Sequence, residues 1–425
     1  MIHWNDKQVR DALFKGQFGL ERETLRILPD GTLSHSPHPF PETGALVRDF
    51  CENQTEINTP VADSVTGVLE AVKALDRTVR ETIEALPEPE LLWPFSNPPY
   101  IRDEEDIPVA QFTGASRTKT LYRDYLSDKY GKYKMTFSGI HFNFSFPEEL
   151  LEREFELSGA ETTRAFRDRF YLGLAKGLVE YGWLLTAVTA ASPLFDSSFF
   201  EQGRTGETVF SGMASYRCSE MGYWNDFVPV LSYDSLQGYS ESIRKYIADG
   251  YLNSPSELYY PVRLKSRGEN NLDELTSGGV SHIELRTIDL NPLTPTGVDG
   301  RDLRFAHLLI LWAAGLPDRP VSISDQTRAV ANFKRAAHYD LSTVDYVGPD
   351  GHARPMTEAG ALILEEMSET FGDLPDDYRE ALAFEYRKFK DPSTRYAAIV
   401  RREFSEDFVK QGLALAKERQ VSANV

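Results

Sequence analysis

The sequence predicts an α+β fold, with an antiparallel or mixed sheet covered on one face by helices. Three observations predict it. The clearest strand-like alternation lies before residue 300, at 17–28, 138–146 and 281–290. From about residue 302 onward the chain reads mainly as helices. Neither a GxxxxGK[ST] loop nor a Rossmann glycine fingerprint occurs, so nothing marks a nucleotide-binding parallel sheet.

The elements follow in order. QFGLERETLRIL at 17–28 alternates like a strand and runs into a PDG turn. Within 62–86, Val65, Val68, Leu69, Val72, Leu75, Val79 and Ile83 recur at helical spacing. Asp63 is the expected N-cap, and Pro87 helps stop the helix. SGIHFNFSF at 138–146 is the strongest strand. Residues 160–189 predict a helix broken near Gly182, and SHIELRTIDL at 281–290 a strand closed by NPLTP. The late helices are LRFAHLLILWAA at 303–314, then 324–338, 357–371, 376–389 and 405–418. With no internal repeat or low-complexity linker, one domain over 1–425 is expected, its sheet region at about 15–300 and its helical region at about 301–425.

Bulk composition excludes some functions. The formal net charge of −19, from 46 basic and 65 acidic residues, argues against general nucleic-acid binding. No apolar run approaches the roughly 20 residues of a membrane helix. MIHWNDKQVRDAL lacks the basic-then-apolar order of a secretory signal. Cys51 and Cys218 make no disulfide framework and form no CxxC pair, so a reducing cytoplasm is expected and a zinc–thiolate site is not.

Chemistry concentrates on the strands. Glu21 and Glu23 are two apart and share a face, as do His141, Asn143 and Ser145, and His282, Glu284 and Arg286. Asp49 and Glu56 sit seven apart, so a turn or bulge must intervene if both serve one site. Taken singly, each set reads as a solvated edge, a core histidine or a surface ion pair. Together they have strongly apolar opposite faces, Phe142, Phe144 and Phe146, and Ile283 and Leu285. Carboxylates and a histidine converging without lysine repel one another unless a cation lies between them. Hard oxygen ligands with one imidazole suit Mg²⁺ or Mn²⁺. Such a cavity usually handles phosphates. Arg117, Lys119 and Arg123, with Arg263, Lys265 and Arg267, are the nearby basic clusters, each read alone as a surface feature.

FGLERETLRI, SGIHFNFSF, YRCSEMGY at 216–223 and HIELRTIDLNPLTPTGVD at 282–299 resemble the glutamate–cysteine ligase family in its bacterial form, which also makes the N-terminal half of bifunctional glutathione synthetases. WPFSNPPYI and KTLYRDYL add connecting matches, and the resemblance runs from about residue 15 to about 300. It implies a fold similar to glutamine synthetase, a curved, largely antiparallel sheet forming a funnel with helices on its outer face. It implies ATP-dependent joining of the L-glutamate γ-carboxylate to the amine of L-cysteine through a γ-glutamyl phosphate, the first step toward glutathione. By resemblance Glu21, Glu23, Asp49, Glu56, His141 and Glu284 hold the metal, and Arg286, helped by Arg123, stabilises the transferring phosphoryl. Asn143, Lys119 and Arg263 are assigned to the nucleotide. Phe50, Tyr122, Leu126, Arg217, Tyr223 and Tyr259 surround the amine substrate, although the aromatics read equally well as core. Met135 stands where some relatives carry a polar residue, which leaves the acceptor open to another small amine or amino acid. The chain ends after the ligase region, so glycine addition is not expected. A carboxylate-based glycosidase and a non-catalytic metal-binding protein are the alternatives from other classes.

Overall fold

The computed structural model describes residues 2–41, 44–267 and 271–423. Its centre is a seven-stranded antiparallel sheet. In chain order the strands are β1 (Gln17–Ile27), β2 (Leu46–Arg48), β3 (Gln54–Asn58), β4 (Leu91–Leu92), β5 (Gly139–Ser145), β6 (Leu194–Asp196), β7 (Thr208–Phe210), β8 (Val262–Lys265) and β9 (His282–Asp289). The spatial order is β2-β3-β1-β5-β9-β8, with β4 beside β1, while β6 and β7 pair separately. A further hairpin, β10 (Asp345–Val347) with β11 (Ala353–Pro355), interrupts the late helical region.

The alternation read from the sequence sets the two faces. Phe18, Leu20, Phe142, Phe144, Ile283 and Leu285 are buried against the Val65–Glu84, Thr163–Tyr181, Trp183–Thr189 and Gly300–Gly315 helices in one large core. Phe144 lies 4.6 Å from the His307 ring of the last of these. Each buried phenylalanine contributes about 2–3 kcal/mol by leaving water, so this face fixes the register: a one-residue slip would expose every ring. Arg22, on the same face, is held by Asp76 of the Val65–Glu84 helix at 2.6 Å.

Some boundaries differ from expectation. The Val65–Glu84 helix is capped by Ser64, whose side chain accepts from the Gly67 amide; Asp63 lies one residue too early to reach it. The helix expected at 405–418 is Phe408–Ala423, starting later because Asp407 accepts from the Lys410 amide at its first turn, and a separate helix the sequence reading did not include, Tyr396–Phe404, precedes it. The break near Gly182 is real. There a Cβ would run into the Leu178 carbonyl, so only glycine lets the chain turn from one helix into the next.

A second core of Trp93, Phe95, Phe408, Leu126, Met135 and Tyr259 lies toward the sheet's other face. It gives that face walls: the Arg117–Tyr130 helix and the stretches around 50, 217–224 and 256–261 stand around the polar side chains of β1, β3, β5 and β9.

Candidate functional site

Strand register brings the polar side chains together. Glu23 lies opposite Glu56, Glu21 opposite His141, and Glu284 opposite both Asn143 and Arg263. Directly opposed residues point to one face, so the row crosses five strands without a break. Asp49 joins it through the expected turn: its amide bonds to the Gln54 carbonyl at 3.1 Å, between β2 and β3. A register shift between Ile140 and Phe142 places His141 at a bulge against β9.

Glu21, Glu23, Asp49, Glu56, His141, Arg263 and Glu284 line a cavity of about 240 Å³. His141 Nδ1 is 2.8 Å from Glu21 Oε2 and 3.9 Å from Glu284 Oε1, and its Nε2 is 4.0 Å from Glu23. One donor atom from each of Glu21, His141 and Glu284 lies within 4.8 Å of the others. Glu284 is fully buried, and among the described residues its Oε1 has no hydrogen-bond partner. Arg286 Nη1 pairs with Oε2 at 3.0 Å, and Lys265 Nζ lies 3.6 Å from Oε1.

The donor set fits a hard divalent cation on this evidence. Burial, then the Asp49 charge, raises the Glu23 carboxyl to about 8. Burial, then the charges of Asp49, Glu21 and Glu23, pushes Glu56 well up. Burial and Arg286 push His141 down, so its imidazole is neutral and able to bind metal. Burial opposes the Glu284 anion, but Arg286 and Lys265 hold its carboxyl well below the usual range. The carboxylates are crowded into a state that a dication relieves. Glu23 and Glu56 must then lose protons when metal binds, so affinity should rise as pH rises toward 8. Calorimetric titration of Mn²⁺ at pH 7 in buffers of different ionisation enthalpy should show net proton release, smaller in Glu23→Gln.

Gly139 explains the glycine that opens the strongest strand. Its amide donates to Glu23 Oε2 at 2.9 Å, and a Cβ there would strike the Arg217 guanidinium. Arg217 in turn donates to the carbonyls of Arg286, at 2.8 Å, and Ile288. It stands at the seam between the carboxylate row and the aromatic wall of Phe50, Tyr122, Leu126, Tyr223 and Tyr259, all of which line the same cavity.

Of the residues assigned to phosphate and nucleotide, two lie outside the cavity lining and two lie in it. Lys119 is exposed and outside the cavity, its ammonium 5.7 Å from the Phe112 ring centre. Asn143 is not in the lining either: its Nδ2 donates to Glu21 Oε1 at 2.9 Å and so orients a carboxylate. Arg123 and Arg263 line the cavity, and like Arg217 they also donate to backbone carbonyls. Arg123 donates to Asp49 O at 2.7 Å and Lys119 O at 3.0 Å. Arg263 donates to Leu258 O at 2.9 Å and Ser256 O at 2.8 Å. Both act as braces for the chain around the site. The sequence reading passed over Lys265 as a site residue. It is two residues from Arg263 on β8, hence on the same face, and that spacing was the available signal. Cys218 and Thr287 also line the cavity. Burial pushes the Cys218 thiol up to about 11, so it is inert at neutral pH.

With this geometry established, comparisons with known proteins converge. The family model for glutamate-cysteine ligase matches residues 2–252 and 247–336. A bifunctional glutathione biosynthesis protein from Listeria monocytogenes is 34% identical over 418 residues, covering 95% of this chain and 54% of that protein. A glutamate–cysteine ligase from Serratia proteamaculans is 30% identical over 452 residues, covering 94% of this chain and 86% of that one. The crystal structure of a bifunctional glutathione synthetase from Pasteurella multocida superposes with a TM-score of 0.83 at 28% identity, over 98% of this chain and 54% of that one. A Francisella tularensis glutamate–cysteine ligase solved with AMP shares the fold, with a TM-score of 0.85 at 22% identity over 96% of this chain and 89% of that one. The chain thus spans about half the length of the bifunctional relatives it matches. Five strands of acidic, imidazole and guanidinium groups around one cavity, and a family match over most of the sequence, lead to one assignment: this chain belongs to the glutamate–cysteine ligase family.

Proposed function

We propose that the protein joins the γ-carboxylate of L-glutamate to the amine of L-cysteine with hydrolysis of ATP to ADP and phosphate. The observation that carries this reading is the triad of Glu21, His141 and Glu284 with Arg286 against it, in a cavity whose other wall is aromatic and holds Arg217. A carboxylate resists amines because its carbonyl carbon is electron-rich. Phosphoryl transfer from ATP makes it an acyl phosphate, and the neutral amine then expels phosphate. Glu21, Glu23, Asp49, Glu56, His141 and Glu284 would hold Mg²⁺ or Mn²⁺, which when bound neutralises phosphate charge. Arg286 presents a fixed guanidinium to the transferring group, and Arg217 pairs with the carboxylate of the incoming amino acid. A glycosidase reading gives way, since the chain belongs to a ligase family. The cytoplasm is the proposed location, consistent with the unpaired Cys51 and Cys218.

A second acceptor reading, another small amine, draws on Met135. It is buried behind the aromatic wall, with the Tyr223 hydroxyl 3.6 Å from its sulfur, so a thioether occupies that position. Release of ADP with Mg²⁺, ATP and glutamate, compared among cysteine, 2-aminobutyrate and simple amines, tests both. The expected result is release strongly dependent on cysteine; release without any amine preference would favour the second reading. Arg217→Ala is expected to raise the KM for the amino-acid acceptor by about ten- to a hundredfold, the range for losing a hydrogen bond to a charged group. An equal loss of ATP affinity would move Arg217 to another part of the site.

A further inference from the structure

Behind the aromatic wall lies a buried carboxylate that the proposed chemistry does not use. Glu257 is fully buried and absent from the cavity lining. Its Oε1 accepts from Lys129 Nζ at 2.6 Å, the Tyr130 hydroxyl at 2.8 Å and the Tyr125 hydroxyl at 3.3 Å. Its Oε2 accepts from the Asn253 amide at 2.5 Å. Asn225 Nδ2 bridges the Glu257 carbonyl, at 2.8 Å, and the Tyr130 hydroxyl, at 3.1 Å, while Asn225 Oδ1 accepts the Tyr259 amide at 2.9 Å. The Glu257 side chain thus holds the Arg117–Tyr130 helix, and Asn225 links the Tyr130 hydroxyl of that helix to the turn near 225 and to the backbone of Glu257 and Tyr259.

That helix needs such a tie. It brings Tyr122, Arg123 and Leu126 to the cavity, yet only Thr120 and Leu126 of its fourteen residues are buried. Apolar burial of so few side chains cannot hold a helix firmly. Its middle is fastened by Arg123 on the Asp49 carbonyl, and its C-terminal end by Glu257. On the other side of the carboxylate, Tyr259 packs against Tyr223 with ring centres 4.2 Å apart and planes tilted by 43°.

We propose that Glu257 is a positioning residue that fixes the acceptor wall, acting through Lys129, Tyr130 and Asn225 on Tyr122, Leu126 and Tyr259. This rests on the reading that the aromatic wall receives the amine substrate. ATP and glutamate meet the carboxylate row, which Glu257 does not touch, so its loss should act on one substrate selectively. Glu257→Gln keeps the volume but removes the charge paired with Lys129 and turns one of the two acceptor oxygens into a donor. Steady-state kinetics of the full chain should show the KM for cysteine raised about ten- to a hundredfold, with kcat and the KM values for ATP and glutamate within about twofold. Tyr130→Phe, which cuts the bridge to Asn225 while keeping the ring, should shift the cysteine KM in the same direction by a smaller factor, and it serves as the test if Glu257→Gln fails to fold. An unchanged cysteine KM in the folded variants, or equal losses for all three substrates, would overturn the proposal. Absence of any amine-dependent ADP release by the unaltered protein would instead overturn the ligase reading.

Discussion

Glu284→Gln is expected to lower turnover by about a thousandfold or more, because a cation bound among phosphates supplies several kcal/mol of charge stabilisation. The geometry makes this carboxylate the least replaceable of the set. It is fully buried, opposite Asn143 on one strand and Arg263 on the other, with the Arg286 and Lys265 cations set against its two oxygens. Glutamine keeps the shape but brings an NH₂ group toward Arg286 and Lys265, where a donor is repelled. The metal-free protein should lose stability too. Glu284 stays ionised because those cations hold its carboxyl well below the usual range, so its contribution is present above the unfolded carboxyl range near pH 4.5 and lost as pH falls through its lower folded value. At pH 7 the variant should therefore melt below the parent, and the gap should close in strong acid. Single-turnover ADP formation at saturating Mg²⁺ and ATP, measured beside thermal melts, separates the two effects. A variant turning over at near-parental rates would remove Glu284 from the proposed metal site.

Much of this site could be read along the chain because strands convert spacing into direction. Two-residue separations put Glu21 with Glu23, and Glu284 with Arg286, on common faces, and the alternating phenylalanines told which face is core. The seven-residue gap between Asp49 and Glu56 required a turn, and β2 and β3 supply one. What could not be read was the fate of long cationic side chains. The resemblance assigns Arg123 to the phosphoryl and Arg263 to the nucleotide; both line the cavity, and carbonyls from segments distant or irregular in sequence also hold them. A guanidinium has five donors, and which acceptors meet it is decided by tertiary packing alone. Lys119 fails for a related reason. On a sparsely buried helix it points toward Phe112 and solvent, while Tyr122 and Leu126 of that helix turn inward. Glu257 gave no signal either, since a single glutamate after SPS reads as an exposed turn until Lys129 and Tyr130 arrive from another element.

Replacing Arg286 should separate phosphoryl transfer from binding. Its guanidinium is nearly enclosed, with Nη1 3.0 Å from Glu284 Oε2 and 3.4 Å from His141 Nδ1, so its charge is fixed next to the proposed cation site before any substrate arrives. Burial works against that charge, but Glu284, Glu21 and Glu23 outweigh it and raise the group further, so it stays protonated at every pH of interest. A charge fixed in place costs no reorganisation as negative charge spreads over the transferring phosphoryl, and this is the condition under which electrostatic stabilisation is strongest. Arg286→Lys keeps the charge but loses the planar fork, and Arg286→Met loses both. Turnover should fall by about a hundredfold for lysine and at least about a thousandfold for methionine, the scale of arginines that act on transferring phosphoryl groups. ATP affinity, read by equilibrium titration in the presence of Mg²⁺, should change far less, since the guanidinium acts mainly on charge that develops during transfer. If both variants lost nucleotide binding in proportion to rate, Arg286 would be holding ground-state ATP and the electrostatic role would belong to Lys265, 3.6 Å from the same carboxylate.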